Sequence, residues 1–240
     1  MSNPYQAPGA PLPNFTPNSD TGSLDAAVNG EYDFDTGEIL REAWDTVSGA
    51  KGAIWGALFI SGVISFVGTA ILKRLLGDSQ QMQMVGSLLM WPLTAPMYMG
   101  VYMMGVRRAA GMPIRASDVF RYLSPYNANV LFVQLATLFA IVVGFVLLII
   151  PGIYLSISYT FAGALVVDKG LSPLEAMEAS RKAVGHQWWK IAWFMFMVGL
   201  VVFGGFLLLG IGLIWAAPTA GIAVGILYRK MFGVTPDPGL

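Results

Sequence analysis

Two stretches of this chain, residues 129–167 and 191–228, run for 39 and 38 residues without an Asp, Glu, Lys, Arg or His. A single helix of that length would measure about 57 Å, nearly twice the roughly 30 Å hydrocarbon core of a bilayer. Tilt does not absorb such an excess. Each stretch is therefore expected to fold back on itself as two spans. The first has its break at Pro151-Gly152, and the second around Gly204, Gly205, Gly210 and Gly212. Two further apolar blocks, residues 53–72 and 84–106, are each long enough to cross once, since about 20 helical residues suffice. The resulting expectation is an all-α membrane protein of six transmembrane helices, at about 53–72, 84–106, 129–149, 152–167, 190–208 and 212–229.

Composition agrees with lipid as the solvent for most of the chain. Charged residues make up 12% of it, with a mean hydropathy of +0.63, whereas soluble domains carry about 25% charged residues. The charges that remain set an orientation. With the N-terminus in the cytoplasm, twelve of the fourteen Lys and Arg fall inside, and only Lys73 and Arg74 fall outside. The positive-inside rule selects that arrangement, with both termini cytoplasmic.

Residues 1–34 contrast with the rest. Prolines at 4, 8, 11, 13 and 17, among Asn, Gly, Ser and Asp, leave too little apolar surface to offset ordering entropy, so a disordered cytoplasmic tail is expected. The 233–240 segment reads as a second, short cytoplasmic tail. The N-terminus lacks the basic and apolar regions of a signal peptide, which leaves insertion to the internal spans. Cysteine is absent, which excludes disulfides and thiol chemistry. One histidine cannot build a His-based metal site, and no clustered basic surface suits nucleic acid.

A threefold pattern underlies the spans. Asp35-Thr36-Gly37-Glu38 and Ser172-Pro173-Leu174-Glu175 both have capping-box spacing, the second with Pro at the first helical position. Ser117-Asp118-Val119-Phe120-Arg121 parallels Gly37-Glu38-Ile39-Leu40-Arg41. Ala95-Pro96 precedes Arg107-Arg108 by the spacing that separates Ala217-Pro218 from Arg229-Lys230. The chain reads as three hairpins, each preceded by a short amphipathic cytoplasmic helix, that is, as an internal repeat.

Apart from Lys190 and Arg229 at the very ends of their spans, no span carries an Asp, Glu, Lys, Arg or His of the kind proton-coupled pumps keep in the membrane. Gln134, Tyr154, Ser158 and Tyr159 are the polar groups that could line a cavity. Interhelical hydrogen bonding is the alternative use for them. Arg107, Arg108, Arg115 and Arg121 crowd one connector, with Asp118 beside them, as candidates for anionic-lipid contact at about 1 kcal/mol each. The rows Ala217, Gly221, Gly225 and Ser61, Ser65, Thr69 permit close helix approach, within the molecule or between copies. No catalytic, cofactor or metal constellation is present: the chain has no G-x-S-x-G, no H-E-x-x-H and no P-loop.

The segment 171–190, LSPLEAMEASRKAVGHQWWK, holds the only histidine. On a helical wheel Leu174, Met177, Val184 and Trp188 form one stripe, Glu175, Glu178, Lys182 and His186 a polar arc, and Ala176, Ala179 and Ala183 a small face. It reads as an amphipathic helix on the inner leaflet, with Trp188 and Trp189 in an aromatic belt and His186 in the wet interface.

Together with Leu148-Ile149-Ile150-Pro151-Gly152-Ile153-Tyr154-Leu155 and Asp168, this segment resembles a family of uncharacterised bacterial multi-spanning integral membrane proteins. It also looks related to the membrane domain of glycerophosphoryl diester phosphodiesterases. Ser2-Asn3-Pro4-Tyr5 is similar to the start of several inner-membrane proteins of Gram-negative bacteria. The resemblance implies a six-span fold in the bacterial inner membrane and no catalytic activity. The expected role is non-enzymatic: structural, partner-binding or lipid-interacting, with the bilayer, a membrane protein or a second copy as partner. The alternative is a small-molecule or lipid transporter with a polar cavity lined by span four.

Overall fold

The computed structural model describes residues 21–77, 79–123 and 127–235. Every regular element among them is helical. In chain order these are α1 (Leu24–Asn29), α2 (Thr36–Thr46), α3 (Lys51–Leu76) and α4 (Gln80–Ala109), then a short 3-10 helix (Ala116–Phe120). They continue as α5 (Asn127–Leu147), α6 (Ile149–Ser158), α7 (Ala162–Lys169), α8 (Pro173–His186), α9 (Trp188–Leu207) and α10 (Leu213–Phe232).

Four helical stretches are long and apolar enough to cross a membrane: Lys51–Leu76, Ala128–Leu147, Ile149–Lys169 and Trp188–Leu207. They carry the exposed Phe, Leu, Val and Trp side chains of α3, α5, α6 and α9. α4 and α10 fall outside that group, and the second half of α4, from Ala95 on, packs against α10 in the interior. A Cβ on Gly105 would lie 2.4 Å from the Gly221 carbonyl oxygen, and one on Gly225 would lie 2.5 Å from Gly105. Only bare backbone allows this approach. The row of Gly221 and Gly225 is thus a seam inside the molecule, and Met97, Met104, Ile222, Ile226 and Tyr228 are buried around it. Helices with such a seam need less apolar bulk than helices that face lipid.

Helix starts follow their cap chemistry. Asp35 Oδ1 accepts from the Glu38 N–H at 2.8 Å, and Ser172 with Glu175 forms a reciprocal capping box. In the middle unit the Arg115 N–H donates to Asp118 Oδ2 at 2.9 Å. Glu38, Asp118 and Glu175 thus stand at the same position relative to their caps. The middle element is a 3-10 turn of five residues rather than an amphipathic α-helix.

Three expectations are corrected in detail. The tail does not extend unfolded to residue 34. Ser23 caps α1, and Gly30 in the left-handed region closes it with the paired bonds Gly30 N–H to Ala27 and Glu31 N–H to Ala26. Ala27 and Phe34 are buried, so these apolar residues have the partners that composition alone could not show. Residues 1–20, including the Pro-rich part, lie outside the described residues. At the other terminus Val234 is buried and so belongs to the packed body, not to the expected tail, and residues 236–240 lie outside the described residues.

The turn in the third block falls at Leu148 rather than at Pro151-Gly152. Pro151 sits in the first turn of α6, where its missing N–H costs nothing. Gly152 serves the packing instead: a Cβ on Gly144 would lie 3.0 Å from it, so α5 and α6 fold back tightly. The expected single fourth span is also broken at Tyr159–Phe161 into α6 and α7.

The third correction concerns α8. Its buried face is Ala176, Met177, Ser180, Ala183 and Val184, while Leu174 is exposed. The inward face therefore joins two alanines of the small face, Ala176 and Ala183, with Met177 and Val184 of the apolar stripe. α8 packs on protein, against α1, α5, α6 and α7.

Candidate functional site

The α8–α9 junction builds a concave feature walled by apolar and aromatic side chains. α8 ends at Gln187, whose backbone leaves the helical region (φ −129°, ψ 38°), and α9 starts immediately at Trp188. The Trp188 ring stacks on Tyr154 at 5.7 Å, and its Nε1–H donates to the Tyr154 carbonyl at 3.3 Å. Trp189 meets Trp188 edge-on at 4.8 Å. Ile150, Ile153 and Tyr154 of α6 face Gly185, His186 and the 187–190 segment across a groove of about 930 Å³. Its walls are almost wholly apolar and aromatic, with His186, Gln187 and Lys190 at the rim.

Residues 28–34 form a strap along that rim. Tyr32 Oη donates to the Ala183 carbonyl at 2.7 Å, and Gln187 Nε2 donates to the Tyr32 carbonyl. His186 Nε2 lies 3.0 Å from the Val28 carbonyl oxygen. The same ring covers Gly30, where a Cβ would meet it at 2.7 Å. Lys190 pairs with Asp33 and also lies over the Phe34 ring, which in turn contacts Phe194 at 6.1 Å. Burial pushes the Tyr32 phenol up to about 12. The Lys190 ammonium bonded to Asp33 holds its carboxyl below the usual range. On the wet face of α8, the Arg181 guanidinium holds Glu178 low, and Glu178 also pairs with Lys182 at 3.4 Å.

Two buried polar clusters close the same end of the molecule. Asp168 accepts from Tyr228 Oη at 2.8 Å and from the Thr235 N–H at 3.0 Å, with Lys169 at 3.2 Å. Arg229 donates to Glu42 at 2.8 Å and to the Ala109 carbonyl. These clusters fasten the ends of α2, α4, α7 and α10 together. Sequence reading noted Asp168 and Arg229 without their partners and missed the strap, because nothing local in the sequence shows which partner a lone polar residue will meet. The exception is Gly30 after a short apolar-periodic run, which signals a helix end.

The residues singled out from sequence are distributed as follows. Arg108 donates to the Thr46 and Ser48 carbonyls at 3.1 and 2.8 Å, capping the end of α2. Arg115 is exposed, and Arg107 and Arg121 are half-buried. Gln134 Nε2 donates to the Ala95 carbonyl at 3.1 Å, tying α5 to α4. Ser158 Oγ donates to the Tyr154 carbonyl, and its own carbonyl accepts from Ser180. Tyr159 is half-buried against the core. Of the four proposed cavity residues, Tyr154 lines the groove and the others do not join it.

No family model matches the chain, and no solved structure matches it significantly. It is 27% identical over 152 residues to uncharacterised proteins of Mycobacterium tuberculosis and Mycobacterium bovis, covering 62% of this chain and 45% of each relative. The matched stretch is less than half the length of those relatives.

Proposed function

We propose that this chain is a non-enzymatic bacterial inner-membrane protein, multi-pass with both termini cytoplasmic, that engages lipid at the groove beside the α8–α9 junction. The polar end of the bundle, with α2, α8, the 3-10 turn and both ion clusters, is its cytoplasmic end. Six apolar helical segments are embedded as three pairs, α3–α4, α5–α6/α7 and α9–α10. One observation carries the reading: a groove of about 930 Å³ with Ile, Tyr and Trp walls and a polar rim opens where α9 leaves that end. Aromatic rings with one wet edge favour the headgroup level, and such walls suit an acyl chain.

The test is to extract the protein into lipid nanodiscs, release it and weigh it by native mass spectrometry. The wild-type chain should retain phospholipid, and Trp188→Ala should lose most of it while keeping its helix content. Equal retention in the two would overturn the reading. A stoichiometric protein recovered by crosslinking in native membranes would favour partner binding at this site. No comparable observation favours transport, because the Gln134 amide and the Ser158 hydroxyl already bond backbone carbonyls.

A further inference from the structure

The path from α5 to α7 begins after Arg121 and ends at Asp168-Lys169, which is held to Tyr228 and Thr235 at the polar end. If this segment crossed the membrane twice, its turn at Leu148 would lie about 30 Å away, at the opposite face. The contacts place it elsewhere. Tyr154, six residues past the turn, is stacked on Trp188 and accepts its N–H. Ile150, two residues past it, lines the groove together with Trp189 and Lys190. Ser158 accepts from Ser180 in α8, so α6 runs back along a helix whose other face carries exposed Glu178 and Lys182. The middle of α6, at Tyr154, and the start of α9 therefore share one level, and the turn at Leu148 lies about 9 Å of helix beyond it.

The composition of the turn supplies the second observation. From Leu138 to Ile153 no side chain bears a hydroxyl, amide or charge. Leu147, Leu148, Ile149 and Ile150 are exposed by 69, 68, 69 and 79%. Four such side chains in water would each forfeit about 1.5–3 kcal/mol of burial, which argues against a turn in the aqueous phase. α5 as a whole is 21 residues and long enough to cross, but its wholly apolar part, from Leu138 to the turn at Leu148, rises about 15 Å, roughly half the hydrocarbon core. We infer that α5–α6 is a re-entrant hairpin: it enters and leaves by the cytoplasmic face, with its tip among the acyl chains near the bilayer midplane. The positive-inside count is the same either way, because the hairpin returns to its own side and bears no Lys or Arg.

This rests on the membrane reading proposed above, and the experiment separates the two. The natural chain has no cysteine, so single substitutions are unique labels. Gln81→Cys and Glu178→Cys mark the two faces, and Leu148→Cys and Ile150→Cys mark the tip. Each variant is treated with a membrane-impermeant maleimide in right-side-out and inverted vesicles, then with bimane in liposomes containing spin-labelled lipids. Gln81→Cys and Glu178→Cys should react from opposite faces. Leu148→Cys and Ile150→Cys should react from neither until detergent is added, with strongest bimane quenching by labels near the acyl-chain end. Reaction of the tip from the Gln81 face would overturn the inference in favour of a full crossing. Reaction from the Glu178 face would overturn it in favour of a hairpin lying on the surface. Protection without lipid quenching would overturn it in favour of a second copy covering the tip. If Gln81→Cys and Glu178→Cys react from one face, the membrane reading itself fails.

Discussion

The α3–α4 and α5–α6 pairs are both apolar helices that fold back on themselves, yet their tips differ in kind. α3 and α4 have 26 and 30 residues, about 39 and 45 Å, and their turn is flanked by Lys73, Arg74, Gln80, Gln81 and Gln83. α6 has ten residues and joins α5 through Leu148 alone, with a tip of only Leu and Ile. The first pair is longer than the hydrocarbon core and ends in groups that want water. The second ends in groups that do not, and its flank is fastened to Trp188. The comparison shows that apolar length alone does not establish a crossing: the chemistry of the turn and the contacts of its flanks decide where it rests.

The largest expected effect is at the tips. Leu148→Arg should lower stability in membranes by about 2.5–3.5 kcal/mol if the tip lies in hydrocarbon, whereas Gln81→Arg should be near neutral. Steric-trap unfolding in bicelles would measure both, and equal effects would erase the distinction between the two pairs.

Next comes the seam between α4 and α10. Gly105→Leu should force α4 from α10 and cost about 1–3 kcal/mol or more, since the Gly221 backbone cannot give way. Gly62→Leu, with open space around it on α3, should gain up to about 1 kcal/mol from helix propensity. Thermal melts in detergent would rank them.

A smaller effect is expected at the strap, which is bonded to α8 and to the start of α9. Tyr32 is raised to about 12 by burial, so its folded state favours the phenol. That contribution is fully present below the ordinary tyrosine pKa of about 10 and is lost as pH rises toward 12. The fluorescence of a variant keeping Trp188 as its sole tryptophan should therefore change in that window, and Tyr32→Phe should remove the change.

The smallest effect is at Asp33, whose carboxyl is lowered by Lys190. Its stabilisation is present above the ordinary Asp value of about 4 and is lost as pH falls through its lowered folded value. The pair is exposed, so high salt should hide the same transition. An acid titration of Asp33 by NMR that matched an unstructured peptide would count against the ion pair.

Much of this protein followed from the order of its residues. Helices apolar enough to cross a bilayer are a consequence of long uncharged blocks, because about 20 consecutive apolar residues can satisfy their backbone bonds within one segment as a helix. The capping acids Glu38, Asp118 and Glu175 were legible for the same local reason: a cap and its partner lie three residues apart. What only the tertiary structure decided were choices among long-range partners. Gly221 and Gly225 could have faced a second copy, and they meet Gly105. His186 had no carboxylate one turn away, and it meets a carbonyl of residue 28. On α8 the buried face combines Ala176 and Ala183 with Met177 and Val184, taking part of each arc, because its neighbours approach between the two. Periodicity states which residues share a face, and only packing selects the neighbour that covers it.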